Sequence, residues 1–212
     1  MGLKEFTGRY KSLLLFGPPG AGKGTVSKIL AESGSHFHLS TGDVFRSLPK
    51  DSSAGRLFSS YGDKGLLVPD KVTIEVWAGY VKDLISTGRY RPHEQYLILD
   101  GIPRTRSQAE VLSNYIDLVA VIALEMPNVQ RLTERLQRRA QIEGRNDDID
   151  AGVIEKRMEV YRKQTEEVLG YYPKNKMLRI NADQYPLKVL GDLFGTGWEV
   201  LTCLSHPMIQ PT

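Results

Sequence analysis

The stretch GPPGAGKGT, Gly17 to Thr25, sets four glycines and a lysine between an apolar run and a segment of helical spacing. Glycines let backbone N–H groups turn toward an anion. A helix that starts near Lys23 adds the positive end of its dipole, and the lysine itself reaches the β- and γ-phosphates of a nucleotide. The usual phosphate-loop spelling is G-x-x-x-x-G-K-[ST], with the hydroxyl directly after the lysine. Here Gly17, Gly22 and Lys23 fall in place, but Gly24 occupies the hydroxyl position and Thr25 follows one residue late.

Arginines supply the second chemical signal. They crowd between Arg131 and Arg157, which points to a local anionic ligand. Arg46 and Arg104 each lie just past an apolar run, where a guanidinium can clamp a phosphate bidentately. Arg135 and Arg139 are four apart and share one helix face, away from the stripe of Val129, Leu132 and Leu136. Arg131 and Arg138 read as a solvated basic face. Arg157 lies four after Val153 and three after Ile154, on the apolar side of its helix, so its charge needs a partner or a ligand. Arg145 sits in the polar connection AQIEGRNDDID, where Asp147 or Asp148 offers such a partner. Asp100 ends an apolar run, and a carboxylate there suits contact to magnesium through water. Asp43 either orients a magnesium water or caps a helix.

These residues need a frame. Five short, continuous apolar runs, Leu13–Phe16, Phe37–Leu39, Tyr96–Leu99, Leu118–Leu124 and Met177–Ile180, suit strands buried on both faces of a parallel sheet. Helical spacing is expected at Lys23–Ser33, Val72–Ile85 and Thr105–Tyr115. It is expected again after a cap at Asn128 and over one long helix, Ala151–Tyr171. The alternation predicts a three-layer α/β sandwich. Two polar connections interrupt it, about 40–69 and about 140–150, where ligands of such sheets usually bind. The end, Gly191 to Thr212, reads as the finish of a terminal helix followed by a fraying tail.

The chain of 212 residues suits one domain, and 41% hydrophobic with 25% charged residues is an ordinary globular balance. A net charge of +3 is too weak to argue for nucleic acid. The single cysteine, Cys203, excludes an internal disulfide. Neither a signal peptide nor a membrane span is expected from the apolar runs, so the default is a cytoplasmic protein.

GPPGAGKGT resembles the G-x-P-G-x-G-K-G-T loop of adenylate kinases and related nucleoside-monophosphate kinases, which accounts for the displaced hydroxyl. Further motifs follow in that family's order: LSTGDVFR at Leu39–Arg46, GLLVPD at Gly65–Asp70, DGIPRT at Asp100–Thr105, and GRNDDID at Gly144–Asp150 with the helix after it. The resemblance implies a P-loop kinase fold, with a five-stranded parallel sheet in order 2-3-1-4-5, a small acceptor-binding insertion and a short lid. It implies ATP binding by Gly17, Pro18, Gly20, Ala21, Gly22, Lys23, Gly24 and Thr25, with Arg135 on the donor adenine and Arg139 on its phosphates. It implies AMP binding by Thr41, Arg46, Val68, Gly101, Arg104, Gln108, Arg145 and Arg157. Arg145 and Arg157 would converge on the transferred phosphoryl group. Lys23, Arg104, Arg139, Arg145 and Arg157 form its catalytic set. Magnesium would arrive with ATP, and the short lid without cysteines implies no structural zinc. A monomer is expected.

A phosphate acceptor is already anionic, so positioning and charge neutralisation suffice and no general base is needed. A kinase acting on a small-metabolite hydroxyl would need one, with Asp43 as its candidate; His36 and His38 read as strand residues. A nucleotide-sensing module would have no use for five placed arginines. Within the family, Thr41 and Gln108 favour AMP over UMP or CMP as acceptor, because an amide donates and accepts at once. Two departures stand out. Ile102 replaces the usual Phe of D-G-F-P-R-T, and the spacing from Arg145 to Arg157 is one residue longer than the family's.

Overall fold

A computed structural model describes residues 8–34 and 36–205. Five strands carry the apolar runs: β1 Tyr10–Phe16, β2 Phe37–Ser40, β3 Leu97–Asp100, β4 Ile116–Glu125 and β5 Met177–Asn181. They pair in parallel throughout, in the order β2-β3-β1-β4-β5. β1 is central, with Leu14 beside Leu99 on one side and Val121 on the other. Alternate side chains of a strand point to opposite faces, and β1 divides accordingly. Leu13 and Leu15 pack with Leu30, Ile122 and Leu136. Leu14 and Phe16 pack with Trp77, Leu99 and Leu112 on the other face. This two-sided burial is why the runs are continuous rather than alternating.

Among the described residues, eight α-helices cover these faces and fill the connections: α1 Lys23–Ser33, α2 Thr41–Ser47, α3 Ser53–Gly62, α4 Asp70–Ser86, α5 Arg106–Leu112, α6 Val129–Glu143, α7 Ala151–Val160 and α8 Pro186–Ser205. Asn128 caps α6 as expected, its side chain accepting from Arg131 N–H at 3.1 Å. The fold agrees with the sequence reading in class, sheet order and strand placement.

Two regions differ in detail. The polar stretch after β2 holds two short helices, α2 and α3, each opened by a serine whose side chain accepts a backbone N–H two or three residues into the helix (Ser40 from Asp43, Ser52 from Gly55). Phe45 and Phe58 stack between them, ring centroids 5.3 Å apart. The long helix expected over Ala151–Tyr171 is not uniform. It passes from α7 into a π-turn at Tyr161–Thr165 and a 3₁₀ segment at Glu167–Tyr171. A π-turn is a local widening that re-aims side chains within a helix. Here Thr165 Oγ1 donates to the carbonyl of Arg104 at 3.1 Å, which fixes the helix against the loop after β3. At the chain end, α8 accounts for the expected terminal helix, and the tail at 206–212 lies outside the described residues.

Because every strand runs the same way, Phe16, Ser40 and Asp100 end on one edge of the sheet. Gly17, Thr41 and Gly101 follow them there. That edge carries the site.

Candidate active site

A cavity of about 720 Å³ opens above this edge. Its floor is the glycine loop. Gly17 turns at φ +152°, and a Cβ there would meet the Leu124 carbonyl oxygen at 2.9 Å. Gly20 and Gly22 adopt φ +84° and +97°, left-handed conformations that favour glycine. Gly22 is the residue before α1, and no side chain caps the helix. The first helical bond runs from Val26 N–H to the Gly22 carbonyl at 3.1 Å. The N–H groups of the first turn therefore point outward into the cavity without a side-chain acceptor. An anion fits that position, since the dipole adds its positive end there.

Lys23 folds back over the loop. Its Nζ donates to the carbonyls of Gly17 at 2.8 Å and Pro18 at 3.1 Å. Burial pushes its pKa down to about 8, against a pull upward from Asp100 and further lowering by Arg104, Arg139 and Arg157. Asp100 stands at the mouth of the same loop; a Cβ on Gly24 would lie 3.8 Å from its Oδ2.

The arginines converge from five parts of the chain: α2, the loop after β3, α6, the connection after it, and α7. Arg104, in the loop after β3, donates through Nε to the Gly101 carbonyl at 2.8 Å, and its burial and the nearby Arg157 lower its pKa. Arg135, on α6, donates to the carbonyls of Ala182 and Gln184 at 3.2 Å each. Arg139, one turn on, meets Asp148 through Nε at 2.7 Å. Arg157 meets the same carboxylate from α7, together with Asp147 Oδ2 at 3.0 Å. Asp148 is 0% exposed, so its charge is answered wholly by these two guanidinia. Arg145 pairs instead with Glu143 at 2.9 Å and, across to the segment after β2, with Asp43 at 3.2 Å. Asp43 also binds Arg46, and these partners hold its pKa below the usual carboxylate range despite its partial burial. Asp43 thus neither caps α2, a role Ser40 fills, nor stands alone.

Among the described residues, eight cationic side chains and four carboxylates line the cavity. The surplus of positive charge is the feature that decides its ligand class: a polyanion with several phosphates.

Of the residues singled out in the sequence, the glycines of the loop, Lys23, Thr25, Arg46, Gly101, Arg104, Arg135, Arg139, Arg145 and Arg157 all line this cavity, with Asp43 and Asp100. Pro18, Ala21, Thr41, Val68 and Gln108 do not line it. Thr41 is buried, and its hydroxyl has no hydrogen-bond partner. Gln108 is 1% exposed, and its amide is bonded to Asp70 and to the Arg104 backbone. Arg131 lies outside the cavity and ties α6 to Asp183.

The two strand histidines part company. His36 packs edge-on against Tyr96, with ring centroids 4.9 Å apart. His38 lines the cavity, where burial lowers its pKa, and its Nε2 is buried without a partner. Tyr161 and Thr165 of the π-turn also reach the cavity. Helical spacing puts both on the side of Val153, Ile154 and Met158, but nothing in that pattern marks them as part of a site. No group of three or more His, Cys, Asp or Glu among the described residues is placed to hold a metal. No helix among them is long and apolar enough to cross a membrane.

Comparison with known proteins agrees with this geometry. Residues 15–177 match the family described as adenylate kinase. The chain is 38% identical over 171 residues to an adenylate kinase of Flavobacterium psychrophilum, covering 78% of this chain and 86% of the relative. It is 40% identical over 179 residues to one from Synechococcus sp. (strain JA-2-3B'a(2-13)), covering 81% and 88%. With the adenylate kinase of Micrococcus luteus it shares 39% over 207 residues, 94% of this chain and 97% of the relative.

Proposed function

Because the chain belongs to the adenylate kinase family, we propose how its cavity divides the work of moving the terminal phosphoryl group of MgATP to AMP, giving two ADP. The surplus of cations around a glycine loop is the observation that carries the assignment.

ATP enters over α1, its β- and γ-phosphates on the loop N–H groups and Lys23. Arg135 faces the donor adenine, and Arg139 its phosphates. AMP lies on the β2–β3 side, its phosphate between Arg46 and Arg104, its base toward Thr41, Val68 and Gln108. Arg145 and Arg157 close on the group in transit. The transition state spreads charge over the equatorial oxygens of that group, and fixed guanidinia stabilise it without reorganising. Magnesium belongs to the substrate MgATP; Asp100, with Asp43, holds its waters. The acceptor oxygen is already an anion, so no proton has to be removed and His38 has no base to be.

The segments at about 40–69 and about 140–150 act as insertion and lid. Their closure excludes water, which would otherwise compete for the phosphoryl group. The links from Arg145 to Asp43 and from Arg157 to Asp147 and Asp148 join those segments to each other and to α7. Monomeric, cytoplasmic operation is part of this reading and is checked by light scattering and cell fractionation.

The deciding experiment is a transfer assay with MgATP against AMP, UMP, CMP, GMP and a hydroxyl acceptor such as shikimate, with a control lacking acceptor. Rapid ADP formation with AMP alone is expected. Faster transfer to UMP or CMP would overturn the roles given to Thr41 and Gln108. Transfer to the hydroxyl acceptor would overturn the phosphate-acceptor reading.

A further inference from the structure

Asp70 opens α4 at the point where the insertion rejoins the core, and no catalytic role above includes it. Its carboxylate nevertheless gathers two side chains from the start of α5. Gln108 Nε2 donates to Oδ1 at 2.7 Å, and Thr105 Oγ1 donates to Oδ2 at 2.8 Å. The same Thr105 hydroxyl caps α5 by accepting from Gln108 N–H at 3.2 Å. On its other side the Gln108 amide accepts, through Oε1, from Arg104 N–H at 2.8 Å.

A primary amide has two ends that exchange by a half-turn, one donating and one accepting. Here the half-turn is blocked. A carboxylate only accepts, so Nε2 must face Asp70; a backbone N–H only donates, so Oε1 must face Arg104. The reversed amide would set oxygen against carboxylate and N–H against N–H, in a site with 1% exposure. What the amide keeps for a ligand is therefore of fixed sense: one N–H on Nε2 and one lone pair on Oε1.

We propose that Asp70 is a positioning residue that sets acceptor-base selectivity by pinning the Gln108 amide. The inference rests on the reading that Gln108 faces the acceptor base. An adenine edge presents a ring nitrogen that accepts beside an amino group that donates, which matches the pinned amide. A 6-oxopurine presents the reverse pair, a ring N–H beside a carbonyl. An amide free to turn would serve both; a pinned one discriminates. The anchor of this selectivity is the first residue of α4, next to the end of the insertion.

The test compares AMP with IMP as acceptor, at saturating MgATP, in the wild type and in Asp70→Ala, Asp70→Asn and Gln108→Ala. Asp70→Ala is expected to lower the AMP-to-IMP ratio of kcat/KM about tenfold, the worth of one buried donor–acceptor mismatch, with KM for ATP unchanged. Asp70→Asn keeps an oxygen that accepts from Nε2, and Thr105 can turn to accept from its amide, so the ratio should stay near wild type. Gln108→Ala should lose the preference. An unchanged ratio in Asp70→Ala, beside a collapsed one in Gln108→Ala, overturns the positioning role and leaves the base reader standing. Unchanged ratios in both variants remove the base reader and the proposal with it. Parallel loss for both acceptors, with a raised KM for ATP, reduces Asp70 to a structural residue and also overturns the proposal.

Discussion

Replacing Lys23 by methionine should make the nucleotide-free protein more stable while abolishing transfer. An ordinary lysine titrates near 10.5, and burial among cationic neighbours brings Lys23 to about 8. The gap corresponds to about 3 kcal/mol at neutral pH, by which the folded protein disfavours the charged ammonium relative to the unfolded chain. Methionine has similar length and no charge. It forfeits the two hydrogen bonds to Gly17 and Pro18, worth ~1 kcal/mol net once the charge is set aside. A gain of about 2 kcal/mol remains, or about 4–8 °C in Tm for a chain of this size. The sign with pH follows from proton binding. Between about 8 and 10.5 the unfolded chain holds the proton that the folded one has released, so wild-type stability from this group rises with pH through that window. The advantage of the methionine variant should therefore be full below pH 8 and nearly gone by about pH 10, where the wild type has recovered most of the difference. Thermal melts of both proteins at about pH 7 and about pH 10 read this directly, because other groups titrate alike in both. A variant less stable than wild type at neutral pH, or an advantage independent of pH, would refute a destabilising buried ammonium. Added MgATP should raise the wild-type Tm and leave the variant's unmoved.

Three further outcomes are expected. Asp148→Asn removes the carboxylate that Arg139 and Arg157 share; the two guanidinia are 28% and 20% exposed, so water offsets part of the loss and the cost is ~2 kcal/mol. Saturating MgATP should recover part of that Tm deficit by supplying a new counter-charge, and a deficit equal with and without nucleotide would count against the pairing. Gly65→Ala places a Cβ at φ +67°, 2.9 Å from the Val153 carbonyl oxygen and 3.2 Å from Arg157 Cγ; a loss of ~1–3 kcal/mol with slowed transfer is expected, and an unchanged melting curve would contradict this close approach. Arg104→Ala should raise KM for AMP at least tenfold more than KM for ATP, about the worth of one charge-assisted pair to phosphate, and equal losses would remove it from the acceptor side.

The sheet was readable because its strands are buried twice over. Leu13 to Phe16 alternate between two cores, and only a chain segment covered on both faces spells an unbroken apolar run. The glycine loop was readable because a backbone that turns at positive φ between strand and helix leaves few residue choices. The site's arginines were readable by position, and Asp147 and Asp148 were readable as partners because they stand beside Arg145 in one short polar connection. What no local pattern shows is that Asp148 is fully buried and shared between Arg139 and Arg157 of two helices. Helices α2 and α3 are hard to read because α2 spans only seven residues and α3 buries only Gly55, although Ser40 and Ser52 are ordinary capping residues. The π-turn was invisible because its residues continue a helical pattern on either side. Gln108 was assigned to a base, and its bond to Asp70 spans 38 residues that no local pattern connects.

The partners of the cations divide them into two kinds. Lys23, Arg104 and Arg135 are held by backbone carbonyls of the loops after β1, β3 and β5. A carbonyl orients a cation without cancelling its charge, so these three carry the standing positive potential of the cavity. All three belong to the edge of the sheet at the strand ends and the helices that start there. Arg46, Arg139, Arg145 and Arg157 are held by carboxylates, and those carboxylates come from the insertion and the lid. Their charge is answered within the protein until a phosphate competes for it. The fixed potential can draw in a polyanion from solution, and the paired arginines can then exchange a carboxylate for a phosphoryl oxygen. On the proposed reading binding and closure would be coupled in that exchange, since each phosphate that takes an arginine would free an acid of the 40–69 or 140–150 segment. Charge reversal at the fixed set should weaken binding at every ionic strength, whereas neutralising an acid of the lid should change chiefly how readily the segments close.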